Sequence, residues 1–303
     1  MRYTIVFLLV LFTSCGIDKN LRNGEKHLAL GEYNEAANQF KQAYAKTPAK
    51  ERTNRGIRAA KLAFCYDKIN ATQKAIGAYS NVIRYKQDDV NTHFRLGLQL
   101  LKNGNYKEAE KEFNIVLDSM PDHQLAKNGL LSAQQAPKWK QAGSRYTVKR
   151  MEVFNSRRAD YSPMLYGNPA EQLYFTSTRN DAQGDDMSLI TGAKAGDIFV
   201  STKDDKGQWS KPQAVSGALN SAYDEGACCF STDNREMYLT QCKTDAESPR
   251  YAEIVVSNRA DASWGKPEPY KIMSDTLSSY AHPAISPDGL WLYFTSDMPG
   301  GIG

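Results

Sequence analysis

The sequence predicts a multidomain chain of the α plus all-β class, with repeated helical hairpins first and repeated short strands second. Three observations predict it. Apolar residues at helical spacing recur through the first half of the 303 residues. After Met151 the texture changes to short β runs broken by Gly, Pro, Asn and Asp. The second half then repeats itself, with offsets of 55 and 56 positions.

The helical pattern is clearest from Gly97 to Pro121. Leu96, Leu100 and Leu101 share one face, and Ala109, Phe113 and Val116 share another. Gly104-Asn105 between them is a turn signal, so the unit is a helical hairpin closed by Pro121. Small Gly97 and Ala109 sit where the two helices approach closely. Gly31 to Ala36, followed by Phe40, Ala43 and Pro48, is the second half of an earlier copy. Leu62, Ala63 and Tyr66, followed by Ala75, Tyr79 and Val82, form the middle one, with Gln87 where the closing Pro would stand.

Ala75 and Ala109 are 34 positions apart, whereas Ala36 and Ala75 are 39 apart, which implies an insertion near Thr47 to Arg55. These residues resemble the tetratricopeptide repeat family. The resemblance implies a solenoid, over residues 16–136, whose concave face binds peptides or other domains. His27, Arg58, Lys61, Arg95 and Gln99 are polar residues of the first helices with no evident packing duty, and are the expected partner-binding set. Reversing Arg58, Lys61 and Arg95 to Glu is expected to abolish capture without much change in melting temperature. Asp122 to Gln135 reads as a capping helix with Leu125, Leu130 and Leu131 inward, ended by Ala136-Pro137. Residues 137–159 form a basic linker carrying Lys138, Lys140, Arg145, Lys149 and Arg150.

The N-terminus sets the compartment. Arg2 precedes an apolar run, Ile5 to Phe12, too short for a permanent transmembrane helix. Thr13-Ser14-Cys15-Gly16 follows. The junction resembles a bacterial lipoprotein signal, in which residues 1–15 hold the signal and Cys15 receives acyl chains. Each buried methylene contributes about 0.8 kcal/mol, so several chains anchor stably. An ordinary secretory signal with an incidental Cys is the rival reading. Export makes nucleic acid a poor partner for the basic linker and permits disulfides. Cys65 lies on a packed helix face, while Cys228 or Cys229 could reach Cys242 in a neighbouring strand. No cysteine spacing fits a zinc site, so no metal is expected.

In the second half, Leu173-Tyr-Phe-Thr-Ser177 recurs as Met237-Tyr-Leu-Thr-Gln241 and Leu292-Tyr-Phe-Thr-Ser296. Asp197-Ile-Phe-Val-Ser201 recurs as Glu253-Ile-Val-Val-Ser257, and Trp209-Ser-Lys-Pro212 as Trp264-Gly-Lys-Pro267. The longer first offset, 64 positions, places an inserted loop within Asn180 to Ala195. Each unit offers four short strands, in the middle unit near Gly226–Phe230, Glu236–Gln241, Glu253–Ser257 and Trp264–Tyr270. Four antiparallel strands per repeat signal a β-propeller blade. Ile285-Ser-Pro-Asp-Gly289 resembles the PD-type, WD40-like repeat, and Phe230-Ser-Thr-Asp-Asn234 occupies the same place. Pro there fixes φ and Gly accepts positive φ. Trp209 and Trp264 are expected to pack between blades. Residues 160–303 thus read as an incomplete propeller of two units and the opening of a third, which implies that further blades lie elsewhere.

The charge is uneven. Residues 16–150 carry 24 Lys and Arg against 13 Asp and Glu, and residues 151–303 carry 13 against 21. Opposite signs suit different partners or mutual docking. No metalloprotease, nucleophile-elbow or phosphate-loop motif occurs, and the four His are isolated in sequence. Tyr280-Ala-His282 most simply packs at a strand end, and Asn180 to Asp186 lacks the alternate spacing of a calcium loop. Neither catalytic residue nor cofactor is expected.

The combination of lipid-modified Cys, tetratricopeptide hairpins and PD-type blades resembles Bacteroidetes outer-membrane lipoproteins of the OmpA-family, PorE-like class in type IX secretion and gliding. That resemblance implies a non-enzymatic scaffold binding envelope proteins through solenoid and propeller. It implies lipid anchoring in the outer membrane, and peptidoglycan contact through an OmpA-like domain beyond Gly303. The absence of an acidic cluster directly after Cys15 points to the periplasmic face. A glycan- or peptide-binding envelope lipoprotein and a propeller hydrolase are the rivals.

Overall fold

The computed structural model describes residues 19–184, 187–243, 251–261, 263–272 and 278–301. The signal and Cys15 lie outside the described residues. Two compact units emerge: one reaches Thr147 and includes Leu189–Gly192, and the other holds Val148–Ser188 and Ala193 onward.

The first unit is a row of antiparallel helices. Residues 19–29 form α1. They are followed by α2 (Tyr33–Lys46), α3 (Arg52–Lys68), α4 (Thr72–Arg84), α5 (Val90–Lys102), α6 (Tyr106–Ser119) and α7 (Gln124–Ala142). Its core is made by the alternation of small and large residues anticipated above. Ala36, Phe40, Ala75, Ala109, Phe113 and Val116 are all fully buried. A Cβ at Gly97 would stand 2.8 Å from the Phe113 ring, and one at Gly129 only 2.5 Å away. Gly24 stands in the same relation to Phe40, at 2.5 Å. Such approaches are closed to any residue with a side chain.

The extra residues between the first and second copies are present, and they are helical. Helix α3 has 17 residues against 13 in α5, and aligning the two places the added turn at Arg52–Arg55. This turn carries the Arg55 guanidinium 4.5 Å above the Tyr44 ring. Arg55 Nε also donates to the Tyr85 hydroxyl at 3.0 Å. The insertion therefore ties the first copy to the second.

Helix α7 corrects the sequence reading twice. Its inward residues are Ala126, Gly129 and Ala133, while Leu125 and Leu131 are 62% and 56% exposed. The Phe113 ring occupies the space that a large inward side chain would need. Pro137 does not end the helix, which continues to Ala142 at the cost of one backbone donor.

Among the described residues the second unit contains three antiparallel sheets in chain order. The first is β1 (Asp160–Tyr166), β2 (Gln172–Ser177), β3 (Asp197–Thr202) and β4 (Gln213–Ala214). The second is β5 (Asp224–Phe230), β6 (Glu236–Lys243), β7 (Tyr251–Ala260) and β8 (Ser263–Trp264), with β9 (Glu268–Pro269) also pairing β7. The third pairs β10 (Tyr280–Ile285) with β11 (Leu292–Ser296). The first strand of each later sheet packs on the sheet before it, β5 against β1 to β3 and β10 against β5 to β7. This is the stacking of propeller-like blades. The expected inserted loop is the β2–β3 connection, residues 178–196.

A shared detail shows how the sheets are joined. Each first strand is bulged and places one non-glycine residue at positive φ: Ser162 at 51°, Ala227 at 47° and His282 at 55°. At the second and third bulges the freed N–H reaches back to the preceding sheet. Ala227 N donates to Thr176 Oγ1 at 3.1 Å, and His282 N donates to Thr240 Oγ1 at 2.8 Å. Thr176 and Thr240 are equivalent positions in the recurring Tyr-Phe-Thr and Tyr-Leu-Thr motifs.

The turns match as well. Ser286 Oγ donates to Asp288, and Gly289, at φ 73°, donates its N–H to Ser286 O at 2.9 Å. Asn234, at φ 59°, donates likewise to Ser231 O at 2.9 Å, and Ser231 Oγ donates to Asp233. In both turns the serine hydroxyl holds the aspartate carboxyl below its ordinary pKa.

Trp264 is buried in the core shared by the first two sheets and donates Nε1–H to the Tyr174 hydroxyl at 3.2 Å. Trp209 differs from its expected inter-blade place: it packs edge-on against Phe154 at 5.4 Å, with the Lys203 ammonium 4.8 Å from its ring. No disulfide joins Cys228, Cys229 and Cys242, so the pairing left open above is not made in this structure. The register explains why. Cys242 stands opposite Asp224, and Cys229 opposite Tyr238. Four residues of strand separate those rungs, about 13 Å at 3.3 Å each, roughly twice the reach of a disulfide. Cys228 and Cys229 are instead buried in two different cores.

Candidate protein-interaction face

The predicted partner residues lie on α1, α3 and α5, the first helices of the three hairpins. The structure divides them. Arg58 is only 7% exposed and Gln99 only 1%, so both have the packing duty that the sequence reading denied them. Arg58 Nη1 donates to Thr47 Oγ1 at 2.7 Å, and Thr47 Oγ1 donates in turn to Ala43 O at 2.7 Å. Gln99 Nε2 donates to Asp67 Oδ1 at 2.7 Å. Reversing Arg58 to Glu would bury a carboxylate beside helix carbonyls, so the triple reversal anticipated above tests stability rather than binding.

Lys61 and Arg95 are half-exposed and each reaches back to the preceding hairpin. Lys61 Nζ meets Glu25 Oε1 at 2.6 Å. Arg95 Nη1 meets Asp67 Oδ2 at 2.8 Å, and its guanidinium lies 5.6 Å from the Phe64 ring. His27 is closed on its own hairpin, Nδ1 to Glu32 Oε2 at 2.6 Å.

Asp67 is the residue that sequence reasoning missed. It sits at the end of α3 and gathers Arg95 and Gln99 from α5 and the Tyr79 hydroxyl from α4, at 3.4 Å. Burial, reinforced by this carboxylate, pushes the Tyr79 hydroxyl well above its ordinary pKa. A lone Asp before a turn carries no sequence signal of such a role. Only the packing of three helices reveals it.

The accessible face contains two further cations. Lys68 and Lys102 are exposed and stand 34 positions apart, as do Lys61 and Arg95. Within each helix the pair is seven residues apart, so all four cations share the same face of consecutive first helices. Lys68 Nζ lies 5.4 Å from the Phe64 ring, and Lys102 Nζ donates to Asn70 Oδ1 at 3.0 Å. Partly buried Phe64 and Leu98 lie between the cations, at equivalent positions. The face therefore offers, per repeat, one cation already held by a carboxylate, one exposed cation with no carboxylate partner among the described residues, and one apolar side chain. Such a row can hold an extended chain with acidic and apolar side chains in alternation.

His282 is exposed at its bulge, with its backbone rather than its ring engaged by Thr240. Among the described residues no group of three His, Cys, Asp or Glu could hold a metal ion, and Asp185 and Asp186 lie outside them. No described helix is long and apolar enough to cross a membrane.

No family model matches the chain, and no curated protein matches it. Among solved structures it is similar to the C-terminal TPR-containing domain of an FK506-binding protein of Plasmodium falciparum. The identity there is 18% and the TM-score 0.38, over 43% of this chain and 94% of that one. It is also similar to the first TPR of Spaghetti (RPAP3) bound to an HSP90 peptide, at 18% identity and TM-score 0.35, over 42% and 96% of the two chains. A third is the Sgt2 TPR domain from Aspergillus fumigatus, at 20% identity and TM-score 0.34, over 45% and 87%.

Proposed function

We propose that this chain is a lipid-anchored, non-enzymatic scaffold whose first-helix face captures an acidic, extended segment of a protein partner in a bacterial envelope assembly. One observation carries the reading: Lys61, Lys68, Arg95 and Lys102 repeat at equivalent positions with Phe64 and Leu98 between them. Cations presented at a fixed interval on stiff helices favour a partner with matching carboxylates, because the entropic cost of ordering the binding face is already met. The excess of Lys and Arg over residues 16–150 extends the attraction beyond the face itself.

The anchor in this reading is Cys15, acylated after removal of the signal. The compartment is the periplasmic face of the outer membrane. The resemblance to OmpA-family, PorE-like lipoproteins supports a place in type IX secretion or gliding machinery, with peptidoglycan contact made by a further domain.

Two variants test the two halves of the proposal. Labelling with an acyl analogue in cells marks the wild type and leaves Cys15→Ala unmarked; label on the variant contradicts the anchor. Lys68→Glu with Lys102→Glu removes two exposed cations without touching a buried partner. It is expected to lose, by tenfold or more, the envelope protein that the wild type captures, at unchanged melting temperature. Capture that survives the reversal contradicts the face.

A further inference from the structure

The sheet unit carries excess negative charge, yet one open cleft in it gathers cations. The cleft has a volume of about 880 Å³, and its lining includes Glu152, Arg157, Arg158, Arg179, Asp181 and Lys211. Two of the charges are already neutralised. Arg179 Nη2 meets Asp160 Oδ1 at 2.7 Å, and Arg150 Nε meets Glu152 Oε1 at 3.1 Å. Among the described residues Arg157, Arg158 and Lys211 have no carboxylate partner. Asp181 is the one carboxylate of the wall left to oppose them. The wall thus retains a net charge of about +2, the charge that complements a phosphate monoester near pH 7.

The back of the cleft is fixed before any ligand arrives. Arg179 donates Nε–H to Ser177 Oγ at 2.8 Å and Nη2–H to the Phe154 carbonyl at 2.8 Å, and its guanidinium lies 4.8 Å from the Phe199 ring. Arg158 is braced by one bond, Nε–H to Asn180 Oδ1 at 3.0 Å, which leaves its terminal NH₂ groups for another acceptor. A braced guanidinium fork suits the paired oxygens of a phosphate, and the mobile ammonium of Lys211 can follow the third.

We infer that this cleft is a binding site for a phosphate dianion, free or pendant on a larger molecule, held by Arg157, Arg158 and Lys211. It stands independently of the partner face on the helices.

Calorimetric titration of the full chain with inorganic phosphate at low salt tests it. The expected result is saturable binding at one site, weakened at least tenfold in Arg157→Ala with Lys211→Ala. The control variant Lys206→Ala with Lys266→Ala removes two exposed cations outside the cleft and is expected to bind as the wild type does. Malonate, a dicarboxylate of equal charge, is expected to bind more weakly. Glucose 6-phosphate binding more tightly than inorganic phosphate marks a pendant phosphate as the ligand, and the reverse order marks the free ion. Absence of saturable binding, an equal loss in the control variant, or equal affinity for malonate would each overturn the assignment. Both double variants alter exposed side chains, and an unchanged melting temperature checks their folding.

Discussion

In the helical region the first and third copies are each joined by an aromatic ring set into a glycine: Phe40 on Gly24, and Phe113 on both Gly97 and Gly129. In the sheet region the apolar core is supplemented by a directional joint, a threonine hydroxyl receiving an N–H freed by a bulge. The difference follows from backbone bonding. A helix satisfies its own interior N–H and C=O groups, so copies are joined by side chains alone, chiefly through shape and at places through polar groups such as Asp67. A bulged strand leaves a donor unpaired, and that donor must be met by the neighbouring sheet or by water. Helical repeats therefore resist changes of volume above all, with polar groups such as Arg58 and Asp67 adding directional bonds at particular places. Sheet repeats add a polar requirement at each of the two described junctions between sheets.

The largest expected effect breaks the helical joint. Phe113→Ala empties the space that Gly97 and Gly129 were shaped to leave, and costs about 3–5 kcal/mol. Helical ellipticity should melt earlier by many degrees while near-ultraviolet signals of the sheet aromatics change little. Loss of both signals together would show that the two regions are not separately stabilised.

The second prediction concerns a carboxylate buried in the sheet region. Glu225 is fully buried, accepts from Ser221 and from Gln241 Nε2 at 2.9 Å, and its pKa is pushed up to about 7 by burial. Because the folded state holds the proton more tightly than the unfolded chain does, Glu225 favours folding most below pH 4.5. That contribution is lost as pH rises through 7. On the order of 3 kcal/mol separates the two limits. Denaturant titrations of the sheet signal should show stability falling between pH 5 and 8, with Glu225→Gln flattening the slope. A slope unchanged in the variant would remove Glu225 as its source.

The smallest effect sharpens the comparison most finely. Thr240→Val keeps the volume and removes the acceptor of His282 N–H, costing about 1–3 kcal/mol. Hydrogen exchange at the His282 amide should accelerate, with protection in α3 to α6 unchanged. An unaltered exchange rate would show that the threonine joint carries no stability.

How far the sequence could be read differs between the regions for the same physical reason. The apolar period exposed Ala109, Phe113 and the offset of the hairpins directly, because shape is written in side-chain size. The recurring Leu-Tyr-Phe-Thr motif and the Ser-Pro-Asp-Gly turn placed the strands, but not the bond that Thr176 or Thr240 makes. That bond depends on a backbone angle at Ala227 and His282, residues with no propensity that announces it. The interaction face was half legible. Lys61 and Arg95 follow from helical spacing, whereas the burial of Arg58 and Gln99 depends on Thr47 and Asp67, which lie 11 and 32 positions away. Leu125 and Leu131 mislead because hydrophobicity alone does not give direction: the inward position is Gly129, against which the Phe113 ring packs.

The central claim is that the first-helix face meets the partner, and site-specific photocrosslinking in cells tests it most directly. A photoreactive residue in place of Phe64 or Leu98 lies on that face, and one in place of Lys111 is exposed on the second helix α6. A discrete adduct from positions 64 and 98, absent from 111, is the predicted result. An adduct from position 111 alone would contradict it.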